Sequence, residues 1–525
     1  MSAPANESLI AWLPDLIYLG GKFESGRALV CDPAGLIVSV APIAELRDEK
    51  RMRLANRALL PGMVNAHSHA FQRVLRGRTE YRTTSSFSGG LPPAVSGSSP
   101  TLNRDRDSFW TWREMMYSAA TRLTAEDVYD ASRMAFLEMA LSGISAVGEF
   151  HYLHHTPDGN PYNDPNLLAK EVIRAAADVG LRIALLRVAY ARSGFQSEPN
   201  PQQVRFIEKD AEAYLKNLEA LAVGVRNPSV REGAASSLNS TLPDGRVSAT
   251  AWIGVAPHSV RAVPLDYLKP VIDHANKKDL KVHMHVAEQP AEVSACVEEY
   301  GRTPTALLES EGLLSDRFTA VHAIHVTPKA ITSFAKSGAM VCACPTTERN
   351  LGDGVVPADD YLRNSVQLCL GTDSHTQIDL LEDARELEYH LRLQTMERAV
   401  LGAGYARLRR ASTLDTGSMP EACVPSAIAA LLFDCATING ARSIGAPNGT
   451  LEVGKPADFF TLDLNDPAIA GASPDDLLSS IVFSASRAAV REVVIGGKPI
   501  VSEGQHLIQE EVVERFNDLQ RRLWS

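Results

Sequence analysis

LLPGMVNAHSH, residues 59–69, is the stretch whose reading decides the fold. An apolar run ends in two histidines one residue apart. On a strand, residues i and i+2 point to the same side. His67 and His69 then converge on one point, as a metal ion requires. Seven later runs share the design: GISAVGEFHY (143–152), RIALLRVAYA (182–191), WIGVAPHS (252–259), KVHMHVAE (281–288), FTAVHAIH (318–325), AMVCACPTT (339–347) and QLCLGTDSH (367–375). Longer stretches of helical character separate them. Strands alternating with helices predict a parallel sheet, and eight of them predict a (β/α)8 barrel. The active face of such a barrel lies at the C-terminal ends of its strands. Eleven of the fourteen histidines sit at or just beyond those ends.

Outward from this middle, the texture changes. Residues 15–60 are short, Val/Ile/Leu-containing runs broken by glycines, which read as small antiparallel strands. The same texture returns in GTLEVGKPADFFTLD (449–463) and REVVIGGKPIVSEGQ (491–505). The expected organisation is a small β-sandwich domain built from residues 1–60 and 448–525, flanking a barrel over 61–447. The tail carries apolar residues at Val512, Val513, Phe516, Leu519 and Leu523, which is helical spacing. Residues 81–107, 224–249 and 402–424 are irregular and read as insertions. The first, rich in Ser, Gly and Pro, would be a mobile loop beside the first barrel strand, able to act as a lid.

Composition excludes several classes. Net charge is −11 over 525 residues, with no Lys/Arg run, so nucleic acid is not an expected partner. A few buried arginines could still set a local field for an anionic small molecule. The seven cysteines are scattered without a C-x-x-C pair, which points to reduced thiols and a cytoplasmic location. Cys342 and Cys344 alternate in an apolar run and read as strand core. No signal peptide is apparent, and no apolar run approaches the roughly 20 residues that span a bilayer. No G-x-G-x-x-G follows a strand and opens a helix, which disfavours a dinucleotide-binding dehydrogenase.

Three further strand ends add to His67 and His69. His285 can be a third nitrogen ligand, and Glu288 lies just past the same strand, in reach of a metal-bound water. His283 faces the same side one pleat deeper and reads as packing. His322 could orient that water or accept its proton, with His325 as competitor. Asp373, in LGTDSH, can complete a His3Asp set around zinc that leaves a position for water. Two-metal hydrolases on this scaffold need a bridging carboxylate, often a carboxylated lysine. The fourth run ends in Pro257-His258-Ser259 with no lysine near, which favours a single ion.

Together these motifs resemble the amidohydrolase superfamily, in its mononuclear deaminase branch. H-S-H, H-V-A-E, H-A-I-H and G-T-D-S-H occur in the branch's order over the whole barrel. Within it the chain is most similar to the formimidoylglutamate deiminases of histidine degradation. That similarity rests on HSHAFQ (67–72), SFWTWREMMY (108–117), EFHYLHH (149–155), APHSVR (256–261) and NLGDG (350–354). The resemblance implies one divalent ion, zinc, on His67, His69, His285 and Asp373. It implies catalytic roles for Glu288, His322 and Asp373, and substrate contacts from Gln72, Arg113, Tyr152, His258 and Arg261. It further implies a homodimer that converts N-formimino-L-glutamate to N-formyl-L-glutamate and ammonia, with zinc-activated water as nucleophile. Two carboxylates on that substrate suit two planar guanidiniums, Arg113 and Arg261. The insertion after Glu80 departs from the pattern and leaves the path to Arg113 open. An aminopurine or triazine deaminase keeps the chemistry and changes the substrate. A barrel that serves as a non-catalytic scaffold is the remaining alternative.

Overall fold

The computed structural model describes residues 9–80, 108–226, 250–402 and 427–525. The three expected insertions lie outside these residues except for 224–226 and 402, and the lid expectation lies outside them with residues 81–107. The chain opens with five strands: β1 (Ile10–Leu19), β2 (Lys22–Ser25), β3 (Arg27–Cys31), β4 (Ile37–Pro42) and β5 (Lys50–Pro61). Eight more follow: β6 (Met63–Ser68), β7 (Ile144–His151), β8 (Arg182–Ala189), β9 (Ala251–Pro257), β10 (Val282–Val286), β11 (Phe318–His322), β12 (Met340–Ala343) and β13 (Leu368–Leu370). Four come last: β14 (Phe459–Asp463), β15 (Val490–Ile495), β16 (Lys498–Ser502) and β17 (Gln505–His506).

Strands β6 to β13 form one parallel sheet in strict chain order. Both faces of such a sheet are covered, so its strands read as continuous apolar runs. Every residue of β7 and β8 is buried. The helices between strands are amphipathic and conventionally ended. Gly180, Gly301 and Gly338 take the left-handed conformation after three of them, where a side chain would be strained. The sheet closes between its first and last strands through a bridge of Ser68 with Asp373. The Asp373 amide donates to the His67 carbonyl at 3.1 Å, and the His69 amide donates to the Asp373 carbonyl at 3.1 Å. Closure demands a small residue at Gly371, where an added Cβ would lie 2.7 Å from the Cβ of His67. The seam of the barrel is thus built from the residues expected to bind metal.

The remaining nine strands form a mixed sheet from both chain ends, in the order β17-β16-β15-β14-β5-β1-β3-β4, with β2 on β1. β5 sits between β1, which it parallels, and β14, which it opposes. Its last residue, Pro61, is followed after Gly62 by the first barrel strand. Alternation along β1 sends Ala11 and Leu13 into one apolar cluster and Trp12 into another, and a register shift between Pro14 and Leu16 brings Ile17 to the Trp12 side. A buried ion pair at 2.6 Å, Arg182 at the start of β8 with Asp458 just before β14, ties the two sheets together.

The expected C-terminal helix spans Gln509–Trp524, burying Val512, Phe516, Leu519 and Leu523 while Val513 stays exposed. It packs on the barrel helix Ala125–Leu141, not on the mixed sheet. Ion pairs of Arg515 with Asp130 at 2.8 Å, Arg522 with Asp127 at 2.6 Å, and Arg133 with Glu511 hold it there. The stretch Ala427–Ile444 is longer and more apolar than the sequence reading allowed, 18 residues of membrane-like composition, but 67% of it is buried inside the protein. It covers the bottom of the barrel, and core packing explains its composition. All six described cysteines are free and buried.

Candidate active site

His67 is the last residue but one of β6, His69 follows the strand, His285 projects from β10 and Asp373 lies beyond β13. Their ligand atoms all lie within 4.8 Å of one another, and all four residues are buried. His67 Nε2 is 3.2 Å from His69 Nε2 and 3.1 Å from His285 Nε2. Asp373 Oδ1 is 3.1 Å from His69 Nε2 and 3.5 Å from His67 Nε2. Two of the rings have a fixed tautomer. His69 Nδ1 donates to the Phe150 carbonyl at 3.0 Å, and His285 Nδ1 donates to the His258 carbonyl at 3.1 Å. Each therefore turns a bare Nε2 lone pair inward, the outer hydrogen bond orienting the ring as in other metal-binding histidines. Lone pairs facing one another at this spacing repel unless a cation lies between them. Burial also holds His67 down at about 3 and His285 well below the usual imidazole range, so both are neutral and ready to ligate at pH 7. Burial opposes the charge on Asp373, but the facing His67 and His69 outweigh it and hold the carboxyl well below the usual range. Three nitrogens and one carboxylate fit one divalent ion.

His322 lies against this group. Its Nε2 is 3.7 Å from both Glu288 Oε1 and Asp373 Oδ2. On the other side, Nδ1 donates to Glu348 Oε1 at 3.2 Å. Burial pulls its pKa down, but the charge of Glu288, the hydrogen bond to Glu348 and the charge of Asp373 push it up to about 10. Glu288 is raised, chiefly by burial. The backbone here is strained: φ is +52° at Ala287, +65° at His322, +47° at Ala323, +44° at Asp373 and +61° at His375. Left-handed backbone in non-glycine residues costs about 1–3 kcal/mol each and persists where surrounding structure over-determines it. Here it bends three strand ends inward onto one point.

One cleft gathers His69, His285, Asp373, Glu288 and His322 with all five expected substrate contacts, Gln72, Arg113, Tyr152, His258 and Arg261. His67 lies beneath its floor. Gln72 donates to the Tyr152 hydroxyl at 2.7 Å, and its own amide oxygen is buried without a partner among the described residues. Arg113 comes from the helix Phe109–Ala120 and lies 4.4 Å above the Trp110 ring. Arg261 follows β9 in the turn after His258. Arg113 Nε and Arg261 Nη1 are buried with no hydrogen-bond partner, and neither guanidinium pairs with a carboxylate among the described residues. Both side chains are half-buried, with these nitrogens shielded from solvent.

The amidohydrolase family model matches residues 58–500. The chain belongs to the amidohydrolase family. It is 35% identical over 477 residues to the formimidoylglutamate deiminase of Pseudomonas aeruginosa, covering 90% of this chain and 92% of that one. It is 25% identical over 516 residues to a 5-methylthioadenosine/S-adenosylhomocysteine deaminase of Haloarcula marismortui, covering 96% and 95%. The crystal structure of an amidohydrolase from Brucella melitensis superposes with a TM-score of 0.78 at 30% identity, covering 99% of this chain and 100% of that one. The protein is a metal-dependent hydrolase acting on C–N bonds.

Sequence reasoning missed several residues of this amidohydrolase's cleft. Glu348, four positions after Cys344, orients His322 and also accepts from the Cys344 amide at 2.8 Å. His322, Cys344 and Glu348 are close enough to suggest a second metal group. Burial, however, pushes the Cys344 thiol far above its usual range, and Glu348 Oε1 already serves two donors. Glu149 accepts from Ser68 Oγ and from the Ala70 amide, bracing the turn that carries His67 and His69. Its place in EFHY (149–152) was the only signal. Phe109, Trp112, Met116, Tyr117, Tyr190 and Phe206 line the cleft. Nothing in their local pattern separates them from core aromatics. His325, the competitor of His322, instead points Nε2 at the Asp353 carbonyl, 2.8 Å away. His283 bonds Ser443 at 3.1 Å as packing, below the site.

Proposed function

We propose that this amidohydrolase hydrolyses N-formimino-L-glutamate to N-formyl-L-glutamate and ammonia. The observation that carries the proposal is the pair of unmatched guanidiniums, Arg113 and Arg261, in the cleft that also holds the His/Asp cluster. Two fixed, planar cations suit a small molecule with two carboxylates. The similarity to the Pseudomonas deiminase supports the same substrate.

The ion is proposed to be zinc, held by His67, His69, His285 and Asp373, since three imidazoles and one carboxylate around an open position suit it. When bound, such an ion makes water nucleophilic near neutral pH. The protein's own groups do the rest. Arg113 and Arg261 clamp the carboxylates and leave the formimino carbon over the cluster. Gln72 offers its free amide oxygen to a substrate N–H. His322 and Asp373 hydrogen-bond the attacking water and hold it against the formimino carbon. Glu288, raised by burial, takes the proton that the attacking water gives up and passes it to the departing nitrogen. Glu348 keeps the His322 ring turned toward the substrate. A homodimer and a cytoplasmic location complete the proposal, the latter supported by six free, buried thiols.

A second reading, an aminopurine deaminase, draws on the similarity to the Haloarcula enzyme and on the aromatic lining, which could stack on a base. It leaves both guanidiniums without an anion. Ammonia release from N-formimino-L-glutamate, guanine and adenosine derivatives separates the two. The expected result is turnover of the first alone, abolished by a chelator and restored by zinc. Turnover of a purine and none of the formimino compound would sink the proposal.

A further inference from the structure

Tyr117 and Tyr190 have no part in the mechanism above, yet both reach the arginine side of the cleft. Tyr117 stands four residues after Arg113 on the same helix, so the two share a face. Tyr190 directly follows β8. Between them lies Gln203, in the short turn Pro201–Gln203 and 1% exposed. Its Nε2 is 2.6 Å from the Tyr117 hydroxyl oxygen and 2.7 Å from that of Tyr190. An amide nitrogen carries two N–H donors and no acceptor. Both phenol oxygens are therefore acceptors toward Gln203, and their own O–H protons are turned elsewhere. If one hydroxyl donates to the other, one proton still remains for the cleft. Burial and the neighbouring phenol push Tyr190 far above its usual range, against the opposing charges of Arg261 and Arg113, so it stays a neutral donor at any working pH. A buried donor without an acceptor is costly, and the two guanidiniums beside it are already short of anions.

We propose that the Tyr117 and Tyr190 pair, held by Gln203, donates a hydrogen bond to one of the two substrate carboxylates that Arg113 and Arg261 hold, and so helps to select a dicarboxylate. The inference rests on the deiminase reading. Gln203 is the positioning residue: it occupies the phenol oxygens and leaves a proton for the substrate.

Tyr117→Phe and Tyr190→Phe remove only the hydroxyls and keep the rings that pack the cleft. Steady-state kinetics on N-formimino-L-glutamate, with bound metal and melting temperature checked in parallel, test the inference. At least one variant should raise KM by about tenfold, as for a lost hydrogen bond to a charged group, while kcat changes far less. The same comparison on N-formimino-4-aminobutyrate and N-formimino-L-norvaline, each lacking one carboxylate, locates the contact. The loss should vanish with whichever analogue lacks the carboxylate the hydroxyls hold. A KM change below about fivefold in both variants overturns the inference, as does an equal loss on both analogues. Gln203→Leu should raise KM in the same direction, and an unchanged KM would overturn its positioning role. If the unaltered enzyme releases no ammonia from N-formimino-L-glutamate, the deiminase reading itself has failed. If it does and the phenylalanine variants match it, only this inference has.

Discussion

The two sides of the cleft are built on opposite principles. The floor, His67, His69, His285 and Asp373, is buried and anchored by backbone. His69 and His285 are pinned by main-chain carbonyls, and Asp373 exchanges main-chain hydrogen bonds with the first strand. The opposing wall, Arg113, Arg261, Tyr117 and Tyr190, stands on a helix and on turns, and two of its donors, Arg113 Nε and Arg261 Nη1, have no partner among the described residues. The floor gathers lone pairs suited to a cation; the wall gathers donors suited to an anion. Reactivity and substrate choice are thus carried by different parts of the fold, and a barrel can change one while keeping the other.

The separation can be broken or sharpened by substitution. Glu288→Gln should have the largest effect, lowering kcat by about 10²–10⁴-fold while bound metal is unchanged. Retained turnover would remove Glu288 from the reaction. Arg261→Ala and Arg113→Ala should raise KM for N-formimino-L-glutamate by about 10–100-fold with kcat little changed. A fall in kcat without a rise in KM would show that wall and floor are not separable. Gly371→Ala tests the seam, since its new Cβ would meet His67 at 2.7 Å. Destabilisation of about 1–3 kcal/mol and lower metal content are expected, read by thermal unfolding and metal analysis. An unaltered protein would show that the seam can yield.

The smallest effect concerns pH. Burial raises Glu292 to about 7, with Arg261 opposing and Glu288 adding to the rise. Below that pH the carboxyl is neutral and the charge of Arg261 is free for substrate. Above it, a new carboxylate competes for Arg261, so KM should climb as pH passes upward through 7. Glu292→Gln retains an oxygen for the Glu288 amide, which donates to Oε2 at 3.1 Å, and should flatten the climb. A climb that persists in this variant would assign it to another group.

Far more of the floor than of the wall was legible in the residues. H-x-H at a strand end marked His67 and His69 as candidates through the two-residue period of a strand, while His285 and Asp373 joined them as strand-end groups and the set as a whole came with the resemblance. Arg113 and Arg261 were singled out by resemblance, and their charge alone would have suited a surface ion pair. Tyr117, Tyr190, Gln203 and Glu348 carried no signal. Each looks locally like packing or helix surface, and its role depends on a partner far along the chain. Gln203 and Tyr117 are 86 residues apart.

By itself, then, the sequence determined the eight-strand barrel and the strand ends at which candidate ligands cluster, because backbone periodicity converts spacing into direction. Tertiary structure alone decided which strand ends bend inward at positive φ, which carboxylate orients His322, and which donors are left facing the cleft without partners. Those depend on barrel closure, which brings Asp373 beside Ser68 across 305 residues of chain and gives the strained turns their support.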